Sequence, residues 1–156
     1  MKALATALFG LLLAACGGND SAATVPDSAA FDRCDGVDVS VFAPGLSFAT
    51  TDGLFTVTFR SASPAPPARG DNAWTVALSD ASGAALGGAT LTITPTMPTH
   101  GHGTSPPRFS AVAGSEDGVY DIPPMDLFMP GPWRNLFTIS AGDERDTGEV
   151  WFCIPR

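Results

Sequence analysis

Leaving aside Met1, every methionine and both histidines of the chain fall between Met97 and Met129: Met97, His100, His102, Met125 and Met129. Thioether sulfur and imidazole nitrogen are the donors that Cu(I) prefers, and imidazole also suits Cu(II) and Zn(II). The centre of the window reads Met97-Pro98-Thr99-His100-Gly101-His102-Gly103. In an extended chain, residues two apart project to the same side, and the flanking glycines leave both imidazoles open to an ion. This pattern predicts a soft-metal site, copper first, built from His100 and His102 with Met97 and with Met125 or Met129. A plainer reading stands beside it. His-Gly-His-Gly also reads as a solvated hairpin loop, and filling irregular gaps in a core is a common use of methionine. Met125 and Met129, four residues apart, would be about 13 Å apart in a strand. They could share an ion only if Met129-Pro130-Gly131 makes a turn.

The elements that must carry these residues read as strands. In residues 54–60, Phe55, Val57 and Phe59 alternate with Thr56, Thr58 and Arg60. The same period of two recurs in Trp74, Val76 and Leu78, in Ala89, Leu91 and Ile93, in Phe137 and Ile139, and in Val150, Phe152 and Ile154. Such alternation means one buried and one wet face, as in antiparallel sheets. Turn signals separate the runs at Asp52-Gly53, Asp80 to Gly83, Asp117-Gly118 and Ala141-Gly142-Asp143, where Asp caps the backbone and Gly supplies positive φ. The Pro-rich stretch 63–70 reads as a loop. The expectation is an all-β chain, an immunoglobulin-like antiparallel β-sandwich of seven to eight strands over residues 31–156.

The first residues read as an address. Lys2 precedes an apolar run from Ala3 to Ala15, too short to span a bilayer and of the length of a signal-peptide core. Leu13-Ala14-Ala15-Cys16 followed by Gly17 resembles the lipobox of bacterial lipoproteins. That resemblance implies cleavage after residue 15 and acylation of Cys16, and Gly17 implies an outer-membrane rather than inner-membrane destination, facing the periplasm. Residues 16–30 are small and polar and read as a flexible tether. With Cys16 given to lipid, Cys34 and Cys153 remain as an even pair in an oxidising compartment, which predicts a bridge between them. If Phe152 faces the core, Cys153 and Trp151 face away from it. The segment 31–41 must then lie against the last strand, covering an otherwise bare sheet edge.

Composition narrows the function. The chain has 156 residues, 8 Lys and Arg against 16 Asp and Glu, and a net charge of −8. Lys2 is its one lysine. That excludes a nucleic-acid surface, which needs clustered cations. A blue-copper centre needs a thiolate beside His and Met, and Cys153 is expected in the bridge. No His-Glu-x-x-His, Gly-x-Ser-x-Gly or phosphate-binding loop is present. Asp32, Asp35 and Asp38 do not follow calcium-loop spacing, and the acidic pairs Glu116-Asp117 and Asp143-Glu144 sit among turn residues. The reading is non-enzymatic.

Several stretches resemble the YtkA-like domain family, and more loosely FixH-like proteins. They are Trp74-Thr75-Val76-Ala77-Leu78, Asp80 to Gly83, Gly88 to Ile93, Met97-Pro98-x-His100-Gly101-His102-Gly103, Gly118-x-Tyr120, and Leu127-x-Met129-Pro130-Gly131-x-Trp133. The resemblance spans about residues 74–154. It implies a small extracytoplasmic β-sandwich, often on a lipoprotein, and the link of FixH-like proteins to copper-oxidase assembly implies metal handling. The expected function is a lipid-anchored envelope protein that binds or buffers copper. The alternative is an envelope protein–protein interaction module whose Met, His and Trp133 loops contact a partner without metal.

Overall fold

The computed structural model describes residues 34–156. The leader, Cys16 and the tether lie outside the described residues. Each alternating run becomes a strand, and shorter pieces extend the sheets. Ten strands result: β1 (Ser47–Ala49), β2 (Phe55–Ser63), β3 (Gly70–Asp80), β4 (Thr90–Met97), β5 (His102–Gly103), β6 (Phe109–Ser110), β7 (Val112–Ala113), β8 (Val119–Leu127), β9 (Gly131–Ala141) and β10 (Glu144–Ile154). The count exceeds the expected seven to eight because β1, β5, β6 and β7 are only two or three residues long. One sheet runs β1-β2-β3-β8-β7 and the other β10-β9-β4-β5, with β6 also paired to β4. All pairings are antiparallel. The chain crosses between sheets from β3 to β4, from β6 to β7 and from β8 to β9, which is the Greek-key path of immunoglobulin-like sandwiches.

The inward residues of both sheets meet in one core. Phe55, Val57 and Phe59 of β2, Trp74, Val76 and Leu78 of β3, Leu91 and Ile93 of β4, and Phe137 and Ile139 of β9 are all buried. At its centre the Phe59 ring lies edge-on to Trp74 at 5.4 Å, Phe152 at 5.6 Å and Phe137 at 6.1 Å. Tilted contacts of this kind suit the ring quadrupoles. One phenol ties the first sheet crossing to this core: Tyr120 Oη accepts from the Ala89 N–H at 2.9 Å and donates to the Leu86 carbonyl at 2.8 Å.

The strand β8 was not legible as alternation because it contains Pro123 and Pro124, yet it lies between β3 and β7. Its register against β3 shifts between Asn72 and Trp74, where Ile122 and Met125 are the flanking partners. The two prolines fall inside that irregularity. A bulge relieves the ladder of the donors proline lacks.

Cys34 and Cys153 form a disulfide across a sequence separation of 119 residues, with Cα atoms 6.0 Å apart. The segment that follows Cys34 runs along the β10 edge, where the Ser40 N–H donates to the Trp151 carbonyl at 2.8 Å. Of the expected strap 31–41, residues 31–33 lie outside the described residues, and the rest is fixed to β10 by the disulfide and this hydrogen bond.

A second clasp joins β10 to the turn between β1 and β2. The Thr51 N–H and hydroxyl both donate to the Thr147 carbonyl, at 2.7 and 2.8 Å, and the buried Asp146 carboxylate accepts from the Asp52 N–H at 3.0 Å. Burial works against the charge on Asp146. The Thr50 hydroxyl and the N–H groups of Thr147, Leu54 and Asp52 outweigh it and hold its carboxyl below the usual 3.8. A depressed carboxylate pKa stabilises the fold above the unfolded value, and that stabilisation is lost as pH falls through the folded value. The melting temperature should therefore drop as pH is lowered below about 4. Asp146→Asn should make that acid slope shallower while melting lower at neutral pH. Thermal scans between acid and neutral pH check this, and an unchanged slope would refute the role of Asp146.

Candidate metal centre

The Met97-to-Gly103 motif folds as the β4–β5 hairpin. Met97 pairs with His102 and Thr96 with Gly103. The His100 and Gly101 N–H groups both approach the Met97 carbonyl at 3.0 Å, closing a tight turn in which Gly101 takes φ +70°. Directly opposed residues in an antiparallel pair share a face. Met97 is fully buried, so His102 turns toward the interior beside it. His100 stays exposed in the turn, and the two imidazole centroids are 5.8 Å apart. A turn, not an extended run, brings the histidines together.

The surroundings of His102 come from the crossing between β8 and β9. The Phe128 ring stacks on the imidazole at 5.3 Å and 25°. The Trp133 ring stands at 6.0 Å and 69° to it, and Phe128 meets Trp133 at 5.7 Å. Trp133 is fully buried on β9, and its indole N–H donates to the Met129 carbonyl at 2.8 Å. That bond holds the bend after β8 and places Met129 in the same neighbourhood. Met97 reaches the same place from the other side. A Cβ at Gly131 would lie 3.0 Å from the Met97 methyl carbon, and Gly131 itself has φ +129°. The backbone conformation reserves that position for glycine.

Enclosed in this way, both ring nitrogens of His102 are shut off from solvent and have no hydrogen-bond partner. A neutral imidazole carries one donor and one acceptor, and leaving each unmet costs about 1–3 kcal/mol. Among the described residues, Trp74 Nε1 and Asn135 Oδ1 are also buried without a partner, but His102 is the one side chain with two such atoms, and it lies beside a second imidazole.

The structure thus brings Met97, His100, His102 and Met129 to one end of the sandwich. Met125 is placed differently: it is fully buried on β8 of the first sheet, where it pairs with Asn72 of the adjacent β3. Among the described residues, no three of His, Cys, Asp and Glu converge to hold an ion. No carboxylate therefore joins the two imidazoles, and the further side-chain donors near them are the thioethers of Met97 and Met129. A shallow hollow of about 520 Å³ over Thr58, Arg60, Ala77, Ser79 and Asp117 lies on the first sheet and contains none of these donors.

Phe128 did not emerge as a site residue from the sequence. Its signal was an aromatic at the outward position after buried Leu127, just ahead of Met129-Pro130-Gly131, where an edge-turning strand would ordinarily carry a polar residue.

No curated protein and no solved structure matches the chain. The YtkA-like family model matches residues 52–135. The match begins well ahead of Trp74, taking in the Asp52-Gly53 turn and β2, and it ends before the second half of β9. It covers more than half of the sequence and contains the whole hairpin, Phe128 and Trp133, and the chain belongs to the YtkA-like family.

Proposed function

We propose that this chain is a lipid-anchored envelope protein that carries or buffers a cuprous ion, without chemical turnover. His100, His102, Met97 and Met129 are its donors. The observation that carries this reading is the pair of unpartnered, solvent-shielded nitrogens on His102, beside a second imidazole and in register with a methionine. Imidazole with thioether is a soft donor set, and low-coordinate Cu(I) fits it. Met125 remains a core residue in this reading. The anchor, and with it an outer-membrane position facing the periplasm, rests on the lipobox-like Leu13-Ala14-Ala15-Cys16-Gly17.

A purely protein-binding module gives no account of two unpartnered nitrogens on His102 beside a second imidazole. The large exposed apolar side chains, Val41, Val112 and Phe128, come from three separate parts of the chain and give that reading less support.

The test is an anaerobic Cu(I) titration of the full chain against a chromophoric competing chelator. Wild type should take up one equivalent. The His100→Ala/His102→Ala double variant should bind about 100-fold more weakly or worse, since loss even of groups that merely orient metal ligands costs about 10–100-fold. Superimposable curves would end the metal reading.

A further inference from the structure

We infer that Phe128 sets the charge selectivity of this centre, making it a site for monovalent copper that excludes divalent ions; the inference rests on the cuprous reading above. Phe128 is 43% exposed. One face of the ring meets water, and the other lies on the His102 imidazole at 5.3 Å. Trp133 closes the inner side. The nitrogens of His102 are buried without a hydrogen-bond partner in this aromatic surround, and among the described residues no carboxylate joins the two imidazoles.

Two physical consequences follow. The cost of moving an ion out of water grows with the square of its charge, so the loss of hydration on the shielded His102 side, opposite exposed His100, costs a divalent ion about four times as much as a monovalent one. Zn(II) and Cu(II) also fill their coordination with water or anionic oxygen, which the aromatic wall denies them. Cu(I) is satisfied by two or three soft donors, and a cation near aromatic faces gains further attraction at distances up to about 6 Å. Trp133 is too deeply built into β9 to be the adjustable part. Phe128 lies outside the strands and is half in solvent, so changing it leaves the core intact.

The experiment measures Cu(I) and Zn(II) affinities of the full-length wild type, Phe128→Ser and Phe128→Tyr by chelator competition. It also follows the rate at which diethyl pyrocarbonate modifies each histidine of the metal-free protein. Phe128→Ser should narrow the Cu(I)-over-Zn(II) preference by about 10-fold or more, chiefly through gained Zn(II) affinity. It should also bring His102 up to the modification rate of exposed His100. Phe128→Tyr should behave as wild type on both measures. If wild type binds Cu(I) while Phe128→Ser keeps both its metal preference and a slow His102, Phe128 is not the determinant and this inference is overturned. If wild type itself takes no Cu(I), the cuprous reading fails and this inference with it; the wild-type titration alone separates the two failures.

Discussion

Reducing the Cys34–Cys153 bridge should lower the melting temperature by about 10 °C or more, and Cys34→Ser/Cys153→Ser should match the reduced wild type. The bridge spans a sequence separation of 119 residues, almost the whole described body. For a loop of that length, the restriction on the unfolded chain is worth up to about 4–5 kcal/mol. A domain of this size has about 5–15 kcal/mol in all, and each kcal/mol moves its midpoint by about 3–6 °C. The folded side loses as well. Cys34 is buried, and the segment it anchors donates a backbone hydrogen bond to the β10 edge, so its release leaves that edge unpaired. Scanning calorimetry with and without reductant decides the matter. A shift under about 2 °C would mean that the strap holds without its crosslink.

The bridge also bears on the metal centre. Cys153 is the register partner of Pro132, and Phe152 that of Trp133. The crosslinked end of β10 therefore backs the stretch of β9 whose Trp133 walls His102 and holds Met129. One rung beyond the last Thr96–Arg134 pair of β4 and β9, Met97 and Trp133 follow on neighbouring strands. Core, crosslink and donor cluster converge on the same end of the second sheet.

Much of this was legible beforehand for a simple reason. Where one sheet face is buried, the period of two is written directly into residue type, as in Phe55, Val57 and Phe59. The bridge was legible because only two cysteines remained once Cys16 was assigned, and the strap followed from Cys153 pointing opposite to Phe152. The donor window was visible as composition. Its geometry was not, since whether two imidazoles converge depends on a turn at Gly101 and on a pairing partner. Met125 and Met129 are the same residue type four positions apart, yet one lies in the core and the other at the sheet crossing. The crossing, set by Pro130 and Gly131, separates them. The strand β8 was missed because its prolines mask the alternation, and Phe128 because an outward aromatic after Leu127 does not show in sequence what it packs on. It packs on a residue that reaches it through a different sheet.

His102→Phe should move stability and metal binding in opposite directions. In the metal-free protein, His102 holds a donor and an acceptor away from water without partners, an arrangement that penalises the fold by about 1–3 kcal/mol for each group. Phenylalanine keeps an aromatic ring for the Phe128 stack and suits a strand position, while removing both orphan atoms. Its larger ring offsets part of the gain through overpacking, though the exposed turn at His100 beside it leaves room for adjustment. The metal-free variant should melt above wild type, by about 3–6 °C for each kcal/mol recovered, and its Cu(I) affinity should fall by about 100-fold or more. Adding Cu(I) should then reverse the order, because a ligand that binds only the folded state raises its stability in proportion to RT ln(1 + [L]/Kd). Wild type would gain from the ion and the variant would not. A variant that melts lower than metal-free wild type and also keeps the wild-type Cu(I) affinity would show that the His102 nitrogens are not the orphaned ligands of this site, and with that the physical case for a ligand at this end of the sandwich would be gone.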